Sequence, residues 1–211
     1  MKVNKVVICS FLIVIFYSVG LIGFLSPSLT PLFLRLVPFH LLLMVILLIL
    51  SHRQKNKEFK LFLLVAYLAG YLIEVIGVNT GYIFGSYQYG ETLGVKLAAV
   101  PLMIGVNWVI MIYSTGVSIS YLKIQNHVVR ALIGAFFLVF MDILIEPVAI
   151  RFDYWSWADL NIPFQNYVAW FVFSFCMMLF FFARKFRKKN PAAIVLLIAQ
   201  LIFFAALNLW N

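Results

Sequence analysis

Long apolar segments alternate with short polar ones along the whole chain. Each apolar segment is about 20 residues long, which is the length that an α-helix needs to cross the roughly 30 Å hydrocarbon core of a bilayer. The sequence lacks the strand-like alternation of polar and apolar residues that an outer-membrane barrel requires. We predict an all-α, polytopic integral membrane protein, with about seven transmembrane helices in one bundle and a single domain over residues 1–211. The predicted spans are residues 6–25, 31–50, 61–78, 97–119, 129–150, 165–183 and 192–210.

The first apolar segment follows Lys2 and Lys5 and has the layout of a secretory signal peptide. No small-x-small cleavage pattern follows it, and further apolar segments come after it. We therefore predict that this segment is retained as the first transmembrane helix.

Composition and charge agree with a membrane protein and set its expected orientation. Hydrophobic residues make up 65% of the chain and charged residues 11%, whereas charged residues account for about a quarter of a soluble domain. The net charge of +9 lies in short loops between apolar segments, which excludes a folded nucleic-acid-binding face. With these spans, 13 of the 16 Lys and Arg residues fall on the side of the N terminus, Lys2 among them. The sequence therefore predicts a protein of the cytoplasmic (inner) membrane, with the N terminus in the cytoplasm and the C terminus on the opposite side.

The basic clusters at 53–60 and 184–189 are expected to contact anionic headgroups of membrane lipids. A docking site for a cytosolic partner is the alternative interpretation of the same clusters.

Three acidic residues, Glu74, Asp142 and Glu146, lie within predicted spans. A charged side chain at mid-bilayer costs roughly 2.5–3.5 kcal/mol, so these side chains are expected to face the bundle interior. Asp142 and Glu146 are four residues apart and share one helix face, and Glu74 lies at a similar depth on another span. We predict that the three form one catalytic site. Interhelical hydrogen bonding, worth about 0.6 kcal/mol on average in membranes, is the structural alternative.

The three histidines carry weaker signals. His40, on the second span, could join the acidic site or be an ordinary core residue, whereas His52 and His127 are expected to be ordinary loop residues. Two loops on the side of the acids, after Glu74 and after Glu146, combine aromatic rings with amide side chains. Such rings could contact a ligand, or could form an aromatic belt at the headgroup level.

Several chemistries are disfavoured by motifs that the sequence lacks. There are no histidine clusters for a membrane di-iron enzyme, no D-D-x-x-D motif for magnesium and a diphosphate, and no phosphate-binding glycine loop. The last span contains no lysine for a retinal Schiff base. Acid chemistry on a lipophilic substrate, with neither metal nor cofactor, remains.

Over residues 70–171 the sequence resembles the membrane carotenoid biosynthesis proteins, which include carotenoid 1′,2′-hydratases and bisanhydrobacterioruberin hydratases. The resemblance lies in Glu74-x-x-Gly77-x-x-Thr80-Gly81, Phe84-Gly85-x-Tyr87-x-Tyr89, Leu93-Gly94, Val100-Pro101, Trp108, Asp142-x-x-x-Glu146-Pro147, Trp155-x-Trp157 and Ile162-Pro163-x-x-Asn166-x-x-x-Trp170. These motifs and the two ring-rich loops together give the candidate substrate-binding residues Asn79, Thr80, Tyr82, Phe84, Tyr87, Tyr89, Trp108, Trp155, Trp157, Asn166 and Trp170.

The resemblance implies a cofactor-independent hydro-lyase that adds water to the terminal 1′,2′ double bond of a ψ-ended carotenoid of the γ-carotene or lycopene type. Its partners would be the carotenoid, membrane lipids and other enzymes of the carotenoid pathway. The residues suit this reaction, because a protonated carboxyl group can protonate the alkene and aromatic rings can stabilise the resulting tertiary cation. A second carboxylate would then orient the water and accept its proton.

Two alternatives stay open. An end-group cyclase or isomerase needs the same protonation step but no water. A proton-coupled transporter of lipid or pigment would use the acids as a relay and would need a polar path to the opposite side. Only Ser114, Thr115 and Ser118 are candidates for such a path in the inner halves of spans three to five.

Overall fold

Seven α-helices run through residues 4–159 and 161–210, the part of the chain that this computed structural model describes. Lys2, which the orientation prediction counts, lies outside these residues. The helices are α1 (Lys5–Leu25), α2 (Thr30–Ser51), α3 (Lys57–Thr80), α4 (Met103–Ile119), α5 (His127–Arg151), α6 (Phe164–Ala183) and α7 (Pro191–Leu209). Six of them, all but α4, are long and apolar enough to cross a membrane. The predicted all-α, polytopic membrane architecture is therefore confirmed.

The fourth helix, α4, is the shortest and the most deeply buried. It has 17 residues, of which 14 are buried, and it packs against α2, α3, α5, α6 and α7. A helix that is apolar on all sides belongs in the interior of a bundle. The acids on α3 and α5 are therefore arranged around a central helix.

The fourth predicted span is wrong at its start: the sequence predicts it from residue 97, but the helix begins at Met103. The intervening residues form a short antiparallel hairpin, β2 (Lys96–Leu97) and β3 (Val100–Pro101). Ala98 and Ala99 make the turn with φ values of 49° and 64°, as a tight two-residue hairpin turn requires. Apolar content alone does not separate such a strand pair from the first turns of a helix.

A second two-stranded ribbon joins the loops that follow α3 and α5. Its strands are β1 (Tyr87–Tyr89) and β4 (Trp155–Trp157), paired antiparallel. Two backbone bonds extend the ribbon, from Gly90 N to Tyr154 O at 3.0 Å and from Ala158 N to Ser86 O at 3.0 Å. The ribbon therefore brings the two ring-rich loops together at one end of the bundle.

Each odd-numbered helix is preceded by an asparagine, the residues being Asn4, Asn56, Asn126 and Asn190. The first three side chains accept hydrogen bonds from backbone N–H groups of the first helical turn, which satisfies donors that have no partner within the helix. The side chain of Asn190 makes no such cap bond and is used elsewhere in the bundle.

Candidate active site

Three carboxyl side chains from two helices converge on one small cavity. Glu74 lies on α3, Asp142 and Glu146 lie on α5, and all three residues are buried, with exposed fractions of 5%, 0% and 1%. Together they line a cavity of about 30 Å³. A cavity of that size has room for one or two water molecules, each of which needs on the order of 10–15 Å³.

Glu74 accepts three hydrogen bonds from aromatic side chains. The hydroxyl groups of Tyr87 and Tyr89 donate to Glu74 Oε2 at 2.6 and 2.7 Å, and Trp108 Nε1 donates to Oε1 at 3.2 Å. Burial, together with the nearby Glu74 carboxyl, raises the pKa of both phenols above their usual range. The two tyrosines therefore remain protonated donors at physiological pH.

Glu146 is held in a similar way by tryptophans. Trp155 Nε1 and Trp157 Nε1 both donate to Glu146 Oε2 at 2.9 Å. Pro147, the next residue in α5, has no N–H and so removes one backbone hydrogen bond from the helix beside the site.

Only one of the two carboxyl oxygens of Asp142 accepts a hydrogen bond from the described residues. Asn166 Nδ2 donates to Asp142 Oδ2 at 2.8 Å and makes a longer contact of 3.5 Å with Glu146 Oε1. Asp142 Oδ1 is buried and has no hydrogen-bond partner among the described residues. A buried polar atom without a partner is costly in a folded protein. This oxygen is therefore the one in the site best placed to bind a ligand or a proton.

The ribbon explains why four rings reach the carboxyl groups. Tyr87 pairs with Trp157 and Tyr89 with Trp155, whereas Gln88 pairs with Ser156 between them. Alternate residues of a strand point to the same face of a sheet. The four rings therefore share the face that covers Glu74 and Glu146.

A glycine on α3 allows the fifth aromatic donor to approach. A Cβ atom at Gly70 would lie 2.4 Å from the ring of Trp108, a distance that would force the ring to move. Trp108 in turn stacks on Trp170 of α6, with ring centroids 4.4 Å apart. The close packing of α3 on α4 thus holds the indole N–H in reach of Glu74.

A larger, mostly apolar cavity lies next to the acidic one. Its volume is about 310 Å³, and α1, α2, α4, α5 and α7 all contribute to its wall. We call it the chamber. Three residues line both cavities, namely Ile104, Asn107 and Trp155. The chamber and the acidic cavity are therefore neighbours across a shared wall.

Polar side chains in the chamber wall include Tyr17, His40 and Gln200. The rings of Tyr17 and His40 meet edge to face with centroids 4.8 Å apart. Gln200 Oε1 is buried without a hydrogen-bond partner in the described part of the chain. His40 thus lies at the chamber and is not among the residues that line the acidic cavity.

Most of the predicted substrate-binding residues line the acidic cavity. These are Phe84, Tyr87, Tyr89, Trp108, Trp155, Trp157, Asn166 and Trp170.

Three predicted substrate-binding residues lie elsewhere, at the C-terminal end of α3. Asn79 Nδ2 donates to the carbonyl groups of Val75 and Ala98, and Thr80 Oγ1 donates to Ile76 O. Tyr82 is 86% exposed. None of the three lines either cavity. Asn79 and Thr80 come five and six residues after Glu74 in α3, which at 3.6 residues per turn places them on other sides of the helix from that acid.

Sequence reasoning missed Asn107 and Ile104, the two residues of α4 that line both cavities. An amide inside an apolar span was the available signal for Asn107, since polar side chains in membrane helices usually face the protein interior.

The expectation that His52 is an ordinary loop residue is wrong. His52 is only 2% exposed, its Nδ1 lies 2.7 Å from Tyr113 OH, and its ring stacks on Phe59 with centroids 3.8 Å apart. The residue follows α2 directly in sequence, but its side chain turns back into the bundle.

Within the described residues, no group of three or more His, Cys, Asp or Glu side chains is arranged to hold a metal ion.

Comparison with known proteins gives two matches. A family model described as "Carotenoid biosynthesis protein" matches residues 34–211. Bisanhydrobacterioruberin hydratase of Haloarcula japonica is 25% identical over 157 residues, which cover 68% of this chain and 54% of that protein. The chain thus spans about half the length of this curated relative. No solved structure matches.

Proposed function

Because this chain belongs to the carotenoid biosynthesis protein family, we propose that it is a hydratase acting on the terminal 1′,2′ double bond of a ψ-ended carotenoid. The substrate would be of the γ-carotene or lycopene type, the product a tertiary alcohol, and no cofactor would take part. One observation carries this proposal: three buried carboxyl groups line a water-sized cavity beside an apolar chamber. The name of the distant relative, a hydratase, is consistent with the same reaction.

Asp142 is the proposed proton donor. Its Oδ1 has no hydrogen-bond partner among the described residues, so it can carry a proton without displacing a bond that already exists. Glu74 and Glu146 each accept charge-assisted bonds from aromatic donors, which favour the ionised form of a carboxyl group. The proton on Oδ1 would pass to the less substituted alkene carbon, where a new C–H bond forms as the π bond breaks.

The resulting tertiary cation needs electron-rich surroundings. The rings of Trp155 and Trp157 and those of Tyr87 and Tyr89 lie on one face of the ribbon, beside the acids. A desolvated cation over an aromatic face gains about 2 kcal/mol or more. These rings would therefore lower the barrier to alkene protonation, the most difficult step of the reaction.

Water capture completes the reaction. The oxygen of a water molecule in the acidic cavity would bond to the cationic carbon and lose a proton to a glutamate carboxylate. Glu146 is the proposed acceptor, because Asn166 contacts both this residue and Asp142. The shared amide holds the two carboxyl groups close together, so that a proton accepted by Glu146 can return to Asp142. Return of the proton to Asp142 would restore the starting state, and the net change is the addition of one water.

The proposed orientation has the acidic cavity near the outer face of the membrane. Arg53, Lys55, Lys57 and Lys60 lie near the N-terminal end of α3, far along the helix from Glu74, and basic loops favour the cytoplasm. A cysteine introduced at Tyr82, which is exposed, should react with a membrane-impermeant maleimide in intact cells. Labelling only after the cells are opened would contradict this orientation.

The experiment that tests the proposed function is product analysis. Membranes that contain the protein are incubated with lycopene or γ-carotene, the pigments are separated, and their molecular masses are measured by mass spectrometry. The expected product is heavier than its substrate by one water. A cyclase would yield a pigment of unchanged mass and altered absorption, and a transporter would return the pigment unaltered, so either result would overturn the proposal.

A further inference from the structure

The chamber has an edge that faces the surroundings of the bundle. Among its lining residues, Val19 of α1 is 49% exposed, and Leu36 and Phe39 of α2 are 42% and 67% exposed. Exposed apolar side chains on a membrane helix face lipid. The chamber therefore meets the hydrocarbon phase between α1 and α2.

Another part of the chamber wall meets the acidic cavity. Ile104, Asn107 and Trp155 line both spaces, and Trp155 Nε1 donates to Glu146. A ligand that occupies the chamber from the lipid side therefore ends within reach of the residues that surround the acids. Asn107, the only amide in this shared wall, is half-buried and offers both a donor and an acceptor there.

The volume of the chamber limits what it can contain. At about 310 Å³ it lies at the lower end of the roughly 300–1,000 Å³ found for sites that enclose drug-sized ligands. A complete carotenoid is considerably larger, whereas one branched end of the chain is of suitable size.

We propose that the chamber binds the ψ end of the carotenoid, which enters sideways from the bilayer between α1 and α2 while the rest of the chain stays in lipid. This inference rests on the proposed function and specifies its substrate class. The protein would recognise one linear isoprenoid chain end, and the end group at the other terminus would remain outside the site. Carotenoids that share a ψ end would therefore be equivalent substrates.

Matched substitutions on α2 test where the ligand binds. Leu36→Trp enlarges a residue of the chamber wall, whereas Leu32→Trp makes the same change one turn away, at a residue that is 54% exposed and does not line the chamber. Lycopene binding is followed by quenching of tryptophan fluorescence in purified protein in lipid nanodiscs. We expect Leu36→Trp to raise Kd about tenfold or more and Leu32→Trp to leave it unchanged. Equal Kd values for the two variants would overturn the proposal.

A second variant fills the chamber from its interior. A Cβ atom at Gly20 would lie 3.7 Å from the ring of Phe203, an ordinary contact distance, so Gly20→Ala should be tolerated. The longer side chain of Gly20→Leu would extend into the chamber and should weaken lycopene binding by a similar factor. If Gly20→Leu binds lycopene as Gly20→Ala does, the chamber is not the binding site.

The binding assay separates this inference from the proposed reaction. If the chamber variants lose lycopene binding but wild-type protein forms no hydrated product, the chamber assignment stands and the proposed function fails. Turnover then tests the substrate class: lycopene and γ-carotene should have kcat/KM values within about threefold of each other, a difference of well under 1.4 kcal/mol. A hundredfold preference for one of them would contradict recognition of a single chain end.

Discussion

Two buried polar clusters contact α4, and only one of them lines a cavity. The first surrounds Trp108 and contains the three carboxyl groups. The second surrounds Tyr113, whose hydroxyl contacts His52 Nδ1 at 2.7 Å and accepts a hydrogen bond from Asn190 Nδ2 at 3.1 Å. Both clusters join residues that are distant in sequence, so burial and hydrogen bonding alone do not identify a functional site.

The groups of the second cluster mostly bond one another, although Asn190 Oδ1 is buried without a hydrogen-bond partner among the described residues. His52 Nε2 lies 2.8 Å from Gln54 O, and Asn190 Nδ2 donates to Ser51 Oγ at 2.9 Å. Burial lowers the pKa of His52, which keeps the ring neutral at physiological pH. None of these residues lines the chamber or the acidic cavity. This cluster therefore ties α2, α4 and α7 together, which is a structural role.

The first cluster lines a cavity and keeps a buried carboxyl oxygen without a partner among the described residues. Hydrogen-bonded neutral side chains would hold the helices together at lower cost than three acids. Because Asn190 Oδ1 in the second cluster also lacks a partner among the described residues, an unsatisfied atom alone does not separate the two clusters. The first cluster differs in combining three carboxyl groups with an adjoining cavity, and we infer that this combination indicates function.

The largest expected effect is that of Asp142→Asn. The amide occupies the same volume but cannot donate a proton in the way an acid does, and general acid catalysis contributes about 10²- to 10⁴-fold. We expect kcat for hydration to fall by that factor while the protein accumulates in membranes as wild type does. Asp159→Asn, the same change at an exposed loop residue, is the control and should be fully active. An active Asp142→Asn variant would remove Asp142 from the proton-donor role.

Trp157→Phe is expected to have the next largest effect. The substitution removes one of the two N–H groups that donate to Glu146 Oε2, and a hydrogen bond to a charged group is worth about 1.5–3 kcal/mol. We predict a roughly ten- to hundredfold loss of kcat, measured as the initial rate of product formation. Trp210→Phe, at an indole that is 62% exposed, is the matched control. A loss of equal size in both variants would mean that removal of an indole acts through the fold and not through Glu146.

An asparagine-to-alanine substitution can be made in both clusters, and its effects on stability and on kcat should differ between them. Asn190→Ala should lower the free energy of unfolding by about 1–3 kcal/mol, because Ser51 and Tyr113 lose a partner, and should leave kcat unchanged. Asn166→Ala should lower kcat, because Asp142 Oδ2 loses its donor. Thermal unfolding in detergent and initial rates are measured for both variants. If Asn190→Ala also lowered kcat at a temperature where the variant is fully folded, the two clusters would not be functionally distinct.

The smallest effect is expected for Tyr82→Phe. The side chain is 86% exposed and lines neither cavity, and substitutions at such positions usually change free energies by no more than about 0.5 kcal/mol. We expect kcat/KM to stay within about twofold of wild type. Tyr89→Phe, which removes a donor to Glu74, is the contrasting variant and should be impaired. A large loss in Tyr82→Phe would place the substrate against the end of α3.

The sequence predicts the membrane bundle because apolar length alone identifies helices that cross a bilayer. It also predicts that Glu74, Asp142 and Glu146 share a site, since the high cost of acids in lipid leaves the bundle interior as their position. The ribbon could not be predicted, because the pairing of Tyr87 with Trp157 is set by tertiary contacts between two loops 70 residues apart. Proximity in sequence groups Asn79, Thr80 and Tyr82 with the rings, but Asn79 and Thr80 lie on other sides of α3 from Glu74 and Tyr82 is exposed.

The chamber was also beyond sequence reasoning. Its wall combines residues from five helices, and no local pattern indicates which apolar side chains leave space between them. His52 illustrates the same difficulty, since its position after α2 suggests a loop while its ring stacks on Phe59 inside the bundle. Packing between elements that are distant in sequence determines both the chamber and the position of the His52 side chain.

Isotope labelling tests the proposed hydration by following the oxygen of the added water and the hydrogen that becomes bonded to carbon. Lycopene is incubated with the protein in deuterium oxide that is also labelled in oxygen, and the product is examined by mass spectrometry and NMR. We expect one labelled oxygen on the tertiary carbon and one non-exchangeable deuterium on the neighbouring carbon, because hydration adds a hydroxyl group and a hydrogen to the two ends of one double bond. Deuterium incorporation without labelled oxygen, or no incorporation at all, would contradict it.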